Sequence, residues 1–309
     1  MKRALIAASL ENQGGVYSNT HLARIPALTQ FINFVKGHSN AKKLEHIDKE
    51  TVRAFGEHLK EQYEHGELSH VTARDYLSHV NSTIAQARGD KALVVKATKE
   101  LNFAPKSGIA LQDASVSDSL HNKVIRDVVT EIRLVMRLQR HFGLRFREAC
   151  LFNAKQAFKE VDKASNVTVA RGTKGGQSRV LVVDTNQQLR VLKEVADYQI
   201  EHETESLIPQ HSSFKDFQKY AWRQTKEADD NYRSHGERHF YATNFYLKHV
   251  GAKCPVQAAV PHGKPHYQYI ATMLDISIDE ARALDRAVRL ELSKRLGHHR
   301  VEVTNSYVG

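Results

Sequence analysis

Six side chains of this sequence have the chemistry needed to attack a phosphodiester, and their spacing is regular. Three short blocks carry most of them: Gly-Leu-Arg-Phe-Arg-Glu (143–148), His-Gly-Glu-Arg-His (235–239) and Leu-Gly-His (296–298). A tyrosine follows the third block nine residues after its histidine, and a lysine lies between the first two blocks. Cations can neutralise phosphate oxygens and a phenol can act as nucleophile, and no acidic cluster for a metal accompanies them. The candidate catalytic set is Arg145, Lys174, His235, Arg238, His298 and Tyr307.

The second block is predicted to begin a helix and to point a cationic group inward. His235, Arg238 and His239 are spaced i, i+3, i+4, and the same face continues into apolar positions. At a helix N-terminus, free N–H groups and the macrodipole favour an anion. The two histidines could instead bind zinc, but Gly236 occupies the position where the His-Glu-x-x-His motif has its glutamate. The sequence therefore favours an anion site over a metal site.

The remaining candidates are weak when each is taken alone. Arg145 could be a surface arginine, although Glu148 at i+3 could hold its guanidinium. Lys174 lies in a glycine-rich turn between strands predicted at 167–171 and 178–183, and the Walker pattern for nucleotide hydrolysis is absent. Tyr307 alone could be a frayed terminal aromatic. Only their occurrence together indicates a site.

Composition narrows the class of protein. The chain has 309 residues, 41% of them hydrophobic and 26% charged, which predicts a globular protein of two domains. A net charge of +10 suggests a polyanionic partner, with nucleic acid before an acidic membrane surface. Only two cysteines occur, and no apolar stretch approaches the ~20 residues of a membrane span. We therefore expect a cytoplasmic, bacterial nucleoid-associated protein with no membrane partner.

Hydrophobic periodicity predicts a mainly α fold with one small β-hairpin. A flexible arm at 1–20 precedes helical stripes near 28–35, 52–63 and 73–84 and a short helix at 91–101, with Pro26 near the first turn of the first stripe. Asp48 and Ser69 are the predicted N-caps of the second and third helices. These form an all-helical domain at 1–103, and a linker at 104–118 follows. The α+β catalytic domain at 119–309 has one helix through 125–136 ending at Gly143, the hairpin, and helices at 186–202, 213–227 and 236–250. Residues 251–275 are predicted irregular, before a helix opened by a Ser277–Glu280 capping box.

Taken together, the blocks resemble the tyrosine recombinases, also called the phage integrase family. Members of that family show Gly-Leu-Arg-x-x-Glu, a hairpin lysine, His-x-x-Arg-His, Leu-Gly-His and a tyrosine nine residues on. The resemblance covers most of 119–309, and residues 20–103 are similar to the helical core-binding domain, including 68–77. The family implies a two-domain clamp around duplex DNA.

The resemblance also implies a role for each site residue. Tyr307 would form a 3′-phosphotyrosyl bond, while Arg145 and Arg238 grip the phosphate oxygens. Further roles follow from the family: Lys174 would protonate the leaving 5′ oxygen, His235 would take the tyrosine proton, His298 would donate to a phosphate oxygen, and Glu148 and His239 would support the arginines. The chemistry implied needs no metal, cofactor or ATP.

Two departures from the family pattern lie near the C-terminal end. Between His239 and His298 are 58 residues, more than is typical, so 251–285 is predicted to be an insertion that contacts DNA or a neighbouring subunit. Only two residues follow Tyr307, where many relatives donate a helix to the next protomer.

The resulting functional hypothesis is a site-specific DNA strand-exchange enzyme, an integrase acting in integration or excision of a mobile element. It would act as a homotetramer on two duplexes, with or without accessory DNA-bending proteins. The alternatives are a type IB topoisomerase-like relaxing enzyme and a catalytically silent DNA-binding regulator.

Overall fold

The computed structural model describes the backbone of residues 1–309 and every side chain except those of 162–164 and 174. The chain folds into two compact units, Met1–Ser107 and Gly108–Gly309. The division falls inside the segment predicted to be a linker. Among the described residues, no helix combines the length and the hydropathy needed to cross a bilayer.

The N-terminal unit is helical and has its own apolar core. Its helices are α1 (Lys2–Glu11), α2 (Asn19–His38), α3 (Lys49–Glu64), α4 (His70–Arg88) and α5 (Ala97–Glu100). Phe31, Phe55 and Leu77 are buried at its centre. The predicted caps are confirmed: Asp48 accepts a hydrogen bond from the Thr51 N–H at 2.7 Å, and Ser69 caps α4 in the same way.

Three predictions for this unit were wrong. The expected flexible arm contains α1, which is ordered because Leu5 is fully buried in the core. Pro26 lies in the interior of α2, not in a first turn, since the helix begins at Asn19. The helix predicted at 91–101 is a single turn, Ala97–Glu100. The burial of Leu5 leaves no local signal in the sequence. The start of α2 does have one, because Ser18 caps the helix and accepts a hydrogen bond from the His21 N–H at 3.1 Å.

The C-terminal unit is also mainly helical and contains one antiparallel hairpin. Its elements are α6 (Asp118–Asp127), α7 (Thr130–Phe142), α8 (Phe146–Cys150), α9 (Ala154–Ala164), β1 (Asn166–Val169), β2 (Arg179–Val182), α10 (Asn186–Glu201), α11 (Phe214–Ala228), α12 (His235–Val250), α13 (Pro255–Ala258), α14 (Lys264–Leu274), α15 (Ile278–Arg295) and α16 (Asn305–Val308). In the hairpin Val167 lies opposite Leu181, and both are buried. The predicted mainly α fold with a small β-hairpin is confirmed.

Two segments differ from the prediction. The helix expected through 125–136 is broken, because Val128 and Val129 adopt extended backbone angles between α6 and α7. The segment 251–275, expected to be irregular, contains α13 and α14. Two apolar clusters fill the unit, one around α7 and α10 and one around α12 and α15. The second cluster includes Tyr307 and Val308, so the C-terminal segment is packed into the core.

Gly143 ends α7 in the left-handed conformation, with φ +61°, at a crowded position. A Cβ there would lie 2.5 Å from Cδ1 of Tyr241. We expect Gly143→Ala to lower the free energy of unfolding by about 2–4 kcal/mol, measured by urea denaturation. Gly89→Ala is the matched control, because Gly89 caps α4 at φ +75° in open space and should cost only ~1 kcal/mol. Equal losses for the two variants would show that crowding at Gly143 is unimportant.

Candidate active site

Arg238 lies at the centre of the candidate site and is completely buried. It sits on the first turns of α12, on the face that continues into the buried Ala242 and Tyr246. Its guanidinium donates to the Gly143 carbonyl, to the Leu296 carbonyl at 2.8 Å and, through Nε, to the Tyr307 hydroxyl at 3.1 Å. These acceptors come from three separate parts of the chain. Arg238 therefore fixes the ends of two helices and the tyrosine in one place.

Tyr307 lies on α16 and is 6% exposed, with its hydroxyl inside the cationic cluster. The hydroxyl is 3.1 Å from Arg238 Nε and 3.5 Å from His298 Nε2. Its ring packs against the rings of His239 and His235, with centroids 4.9 and 5.9 Å away. The nucleophile expected from the sequence and its cations thus meet within a single chain.

Arg145 is held by Glu148, the pairing expected from their i, i+3 spacing. Arg145 caps α8, and Glu148 accepts from its backbone N–H at 2.8 Å and from its guanidinium at 2.6 Å. Another nitrogen of the same guanidinium lies 3.4 Å from His298 Nε2. Burial would raise the pKa of Glu148, but Arg179 and the contacts with Arg145 outweigh it and hold this pKa below its ordinary value. Glu148 is therefore a carboxylate that orients Arg145.

Arg179 was missed by the sequence analysis although it belongs to the same cluster. It lies on β2, is 5% exposed, and donates to Glu148 at 2.6 Å and to the Arg295 carbonyl. Burial lowers the pKa of Arg179 to about 10, with Glu148 acting in the opposite direction. One signal could have found it. Strand residues two apart share a face, and Arg179 has the same parity as the buried Leu181, whereas Val180 between them is exposed.

The three histidines occupy different positions in the site. His298 Nε2 lies 3.1 Å from a guanidinium nitrogen of Arg238. Since a guanidinium only donates, this nitrogen is the acceptor. Burial, Arg238 and Arg145 lower the pKa of His298 to about 4, so the ring is neutral at pH 7. His235 is exposed at the start of α12, so the prediction that its side chain points inward was wrong. The pKa of His235 is lowered by partial desolvation and by the nearby His239 and Arg238. His239 contacts the Tyr307 ring, and no hydrogen bond joins its described side chain to Arg238.

Two further sequence predictions concern Lys174 and zinc. The Lys174 side chain lies outside the described residues; its backbone begins a single 3-10 turn, Lys174–Gly176, between β1 and β2. The rings of His235 and His239 are 5.2 Å apart and nearly perpendicular. Among the described side chains, no group of three or more His, Cys, Asp or Glu is placed to hold a metal ion. The gathered groups are Arg145 and Arg238, with Arg179 beside them on Glu148, neutral histidines and a phenol, which together can bind and attack an anionic diester.

The lowered pKa of His298 predicts that the protein loses stability in mild acid. Its pKa is about 4 in the folded protein and ordinarily 6.5, so the unfolded chain binds more protons between these values. The free energy of unfolding should therefore fall as pH drops from 6.5 to 4, by about 1–2 kcal/mol for this ring after allowance for partial solvation. Thermal melting across this range should show a shallower pH slope for His298→Gln than for the unaltered protein. An identical slope in the two would contradict the assigned shift.

Each of the two units matches the profile of a known protein family. The family profile described as "Integrase" matches residues 107–245, and that described as "Phage integrase SAM-like domain" matches residues 8–101. No curated protein sequence matches the chain significantly.

Solved structures share the fold. The transposon Tn1549 integrase (82–397), in complex with circular intermediate DNA, is 12% identical with a TM-score of 0.55, covering 99% of this chain and 94% of its own. A lambda integrase (75–356) dimer bound to a COC′ core site is 16% identical with a TM-score of 0.54, covering 91% and 93%. The XerH site-specific recombinase bound to palindromic difH substrate is 16% identical, with a TM-score of 0.51 and coverage of 88% and 78%.

Proposed function

Because this chain belongs to the tyrosine recombinase family, we propose that it cuts and rejoins duplex DNA at a specific site through a 3′-phosphotyrosyl intermediate. The observation that carries the proposal is the position of the Tyr307 hydroxyl, 3.1 Å from the buried guanidinium of Arg238. A guanidinium at this distance can stabilise the negative charge that develops on the attacking oxygen. The same cation can then stabilise the charge of an attacked phosphate.

In the proposed reaction the tyrosine oxygen bonds to phosphorus as the bond from phosphorus to the 5′ oxygen breaks. The tyrosine proton passes to a neutral histidine, and Lys174 supplies a proton to the leaving 5′ oxygen. We assign the tyrosine proton to His298, whose Nε2 lies 3.5 Å from the hydroxyl and becomes free to accept it once a phosphate oxygen takes over the hydrogen bond from Arg238. The sequence assigned it to His235, but no hydrogen bond joins that described side chain to Tyr307. From its exposed position His235 can instead donate to a phosphate oxygen.

Arg145 and Arg238 are proposed to hold the two non-bridging oxygens of the phosphate. Both guanidinium groups already lie within 3.4 Å of the same nitrogen, His298 Nε2, so one small anion can contact both. Bidentate guanidinium contacts would neutralise the charge that grows in the pentacoordinate transition state. The phosphotyrosine retains the energy of the broken bond, and a 5′ hydroxyl from a partner strand can reverse the step. The chemistry so assigned draws on neither ATP nor a metal.

Strand exchange between two duplexes would require several protomers, and we propose a homotetramer on two DNA duplexes, acting in integration or excision of a mobile element. The net charge of +10 suits a polyanionic partner. A lambda integrase tetramer bound to a Holliday junction is among the structures with this fold, at 14% identity and a TM-score of 0.52.

The test is covalent trapping on a suicide duplex built from DNA flanking the gene, with a nick placed so that the short fragment carrying the released 5′ hydroxyl diffuses away. We expect a covalent adduct with the unaltered protein and none with Tyr307→Phe. Rapid relaxation of any supercoiled plasmid without strand exchange would favour the topoisomerase alternative. Tight binding without an adduct on any flanking sequence would overturn the proposal in favour of a silent regulator.

A further inference from the structure

A buried polar cluster outside the catalytic site leads to the tyrosine segment. Asp285 and Arg289 on α15 are each 2% exposed. Arg289 Nε lies 2.9 and 3.0 Å from the two carboxylate oxygens of Asp285. Another nitrogen of the guanidinium donates to the side-chain oxygen of Asn305 at 3.0 Å. Asn305 is the first residue of α16, two positions before Tyr307.

Helix α16, which carries Tyr307, depends on tertiary contacts of this kind for its stability. Helix α16 is four residues long, and helices this short do not persist without tertiary contacts. The Asn305 carbonyl accepts from the Ala110 N–H at 2.8 Å, and the Asn305 side chain accepts from Arg289. Asn305 is thus fixed through both its backbone and its side chain. A shift there would move the Tyr307 hydroxyl relative to Arg238.

A residue of the predicted insertion packs beside Asp285, the carboxylate that binds Arg289. His266, from α14, is 1% exposed; its Nε2 donates to the Lys253 carbonyl at 2.9 Å, and its Nδ1 lies 3.9 Å from Asp285. His266 is therefore buried within its own chain, so any contact of 251–285 with DNA or a neighbouring subunit is made by other residues of that segment. The Tyr246 hydroxyl donates a hydrogen bond to Asp285. The Arg289 guanidinium carbon lies over the Tyr246 ring, 5.5 Å from the ring centroid.

The insertion also contacts the residues that follow the nucleophile. A Cβ on Gly309 would lie 2.9 Å from side-chain atoms of Pro255 and Val256, so that these residues pack closely against the segment. His262 Nδ1 lies 3.0 Å from the Gly309 carbonyl. The segment 305–309 is therefore held on one side by Arg289 and on the other by 255–262. A buried ion pair often contributes little net stability compared with apolar side chains, so what Asp285–Arg289 chiefly adds here is a fixed geometry.

We propose that Arg289 is a positioning residue for Tyr307, acting through Asn305, and that residues 253–289 hold the nucleophile of their own chain in attacking position. The proposal rests on the function proposed above. It assigns Arg289 no contact with DNA. Its effect is to keep the Tyr307 hydroxyl on Arg238, so its loss should slow cleavage without weakening DNA binding.

The test compares single-turnover cleavage of the flanking-sequence suicide duplex by Asn305 variants. We expect Asn305→Ala to slow covalent adduct formation about tenfold or more, with the DNA Kd changed less than twofold. Asn305→Asp should recover a rate within threefold of the unaltered protein, because a carboxylate accepts the same bond from Arg289. Ser306→Ala is the control, since that hydroxyl is exposed and donates to the nearby Val303 carbonyl, so its loss should leave the rate unchanged.

A double-mutant cycle separates positioning from a general structural role. If Arg289 acts through Asn305, adding Asn305→Ala to Arg289→Met should slow cleavage no further. The inference is overturned if the two substitutions reduce the cleavage rate by the product of their separate effects. It is also overturned if Asn305→Ala cleaves as fast as the unaltered protein. Should Arg289→Met fail to fold, the Asn305→Ala and Asn305→Asp pair decides alone. Absence of any adduct with the unaltered protein would instead overturn the proposed function, so the two failures are distinguishable.

Discussion

Replacing Arg238 with lysine is expected to reduce the rate of DNA cleavage by about 1000-fold or more, although the positive charge is kept. The guanidinium reaches the carbonyls of Gly143 and Leu296 and the Tyr307 hydroxyl at once, and it is fully buried. A lysine ammonium is a compact donor that cannot span these acceptors. The tyrosine would lose its cation and two helix ends would lose their common donor.

The measurement is single-turnover cleavage of the suicide duplex, with far-UV circular dichroism to confirm folding. Arg147→Lys is the matched control, because Arg147 is an exposed arginine near the site that stacks on Phe214, 5.2 Å from its ring centroid. We expect its rate to stay within about twofold of the unaltered protein. A folded Arg238→Lys protein that cleaves at the normal rate would show that charge alone suffices at this position.

Replacing Glu148 with glutamine is expected to lower the free energy of unfolding by about 3–5 kcal/mol and to slow cleavage as well. Glu148 is fully buried and accepts hydrogen bonds from the guanidinium groups of Arg145 and Arg179, each at 2.6 Å. Glutamine is nearly isosteric, but it removes the countercharge from both arginines and turns an amide donor toward one of them. Arg145 should then lose its fixed orientation.

Urea denaturation measures the stability loss, and cleavage of the suicide duplex measures the effect on the site. The control is Glu194→Gln, because Glu194 pairs with Arg137 at the surface, with side chains 39% and 29% exposed. An exposed pair contributes less than about 1 kcal/mol. If Glu148→Gln and Glu194→Gln lower the free energy of unfolding by the same amount, Glu148 does not hold Arg145 and Arg179 as described.

The sequence predicted best those elements whose signals are local. Asp48, Ser69 and the Ser277–Glu280 capping box each marked a true helix start, since a cap bonds to the backbone of its own first turn. The break at Val128 and Val129 left no such signal, because both residues continue the apolar stripe of the helices on either side. Helix α14 was hidden by Pro265 and His266, although proline is tolerated in a first helical turn.

The same distinction applies to the site. Glu148 and Arg145 are three residues apart, and their contact followed from helical spacing. Arg179 and Glu148 are 31 residues apart, and Arg289 acts on a segment beyond the end of its own helix. Contacts of this kind depend on how separate elements pack, which periodicity does not encode. The exposure of His235 had the same origin, since the helix face alone placed it inward with Arg238.

The most direct test of the account is to identify the residue that bears DNA after trapping on the suicide duplex. The adduct would be digested with trypsin and nuclease and the modified peptide sequenced by mass spectrometry. The account predicts a nucleotide joined through its 3′ phosphate to Tyr307, in the peptide that begins at Val301 after cleavage at Arg300. Linkage to any other residue, or a 5′ phosphate at the tyrosine, would contradict it.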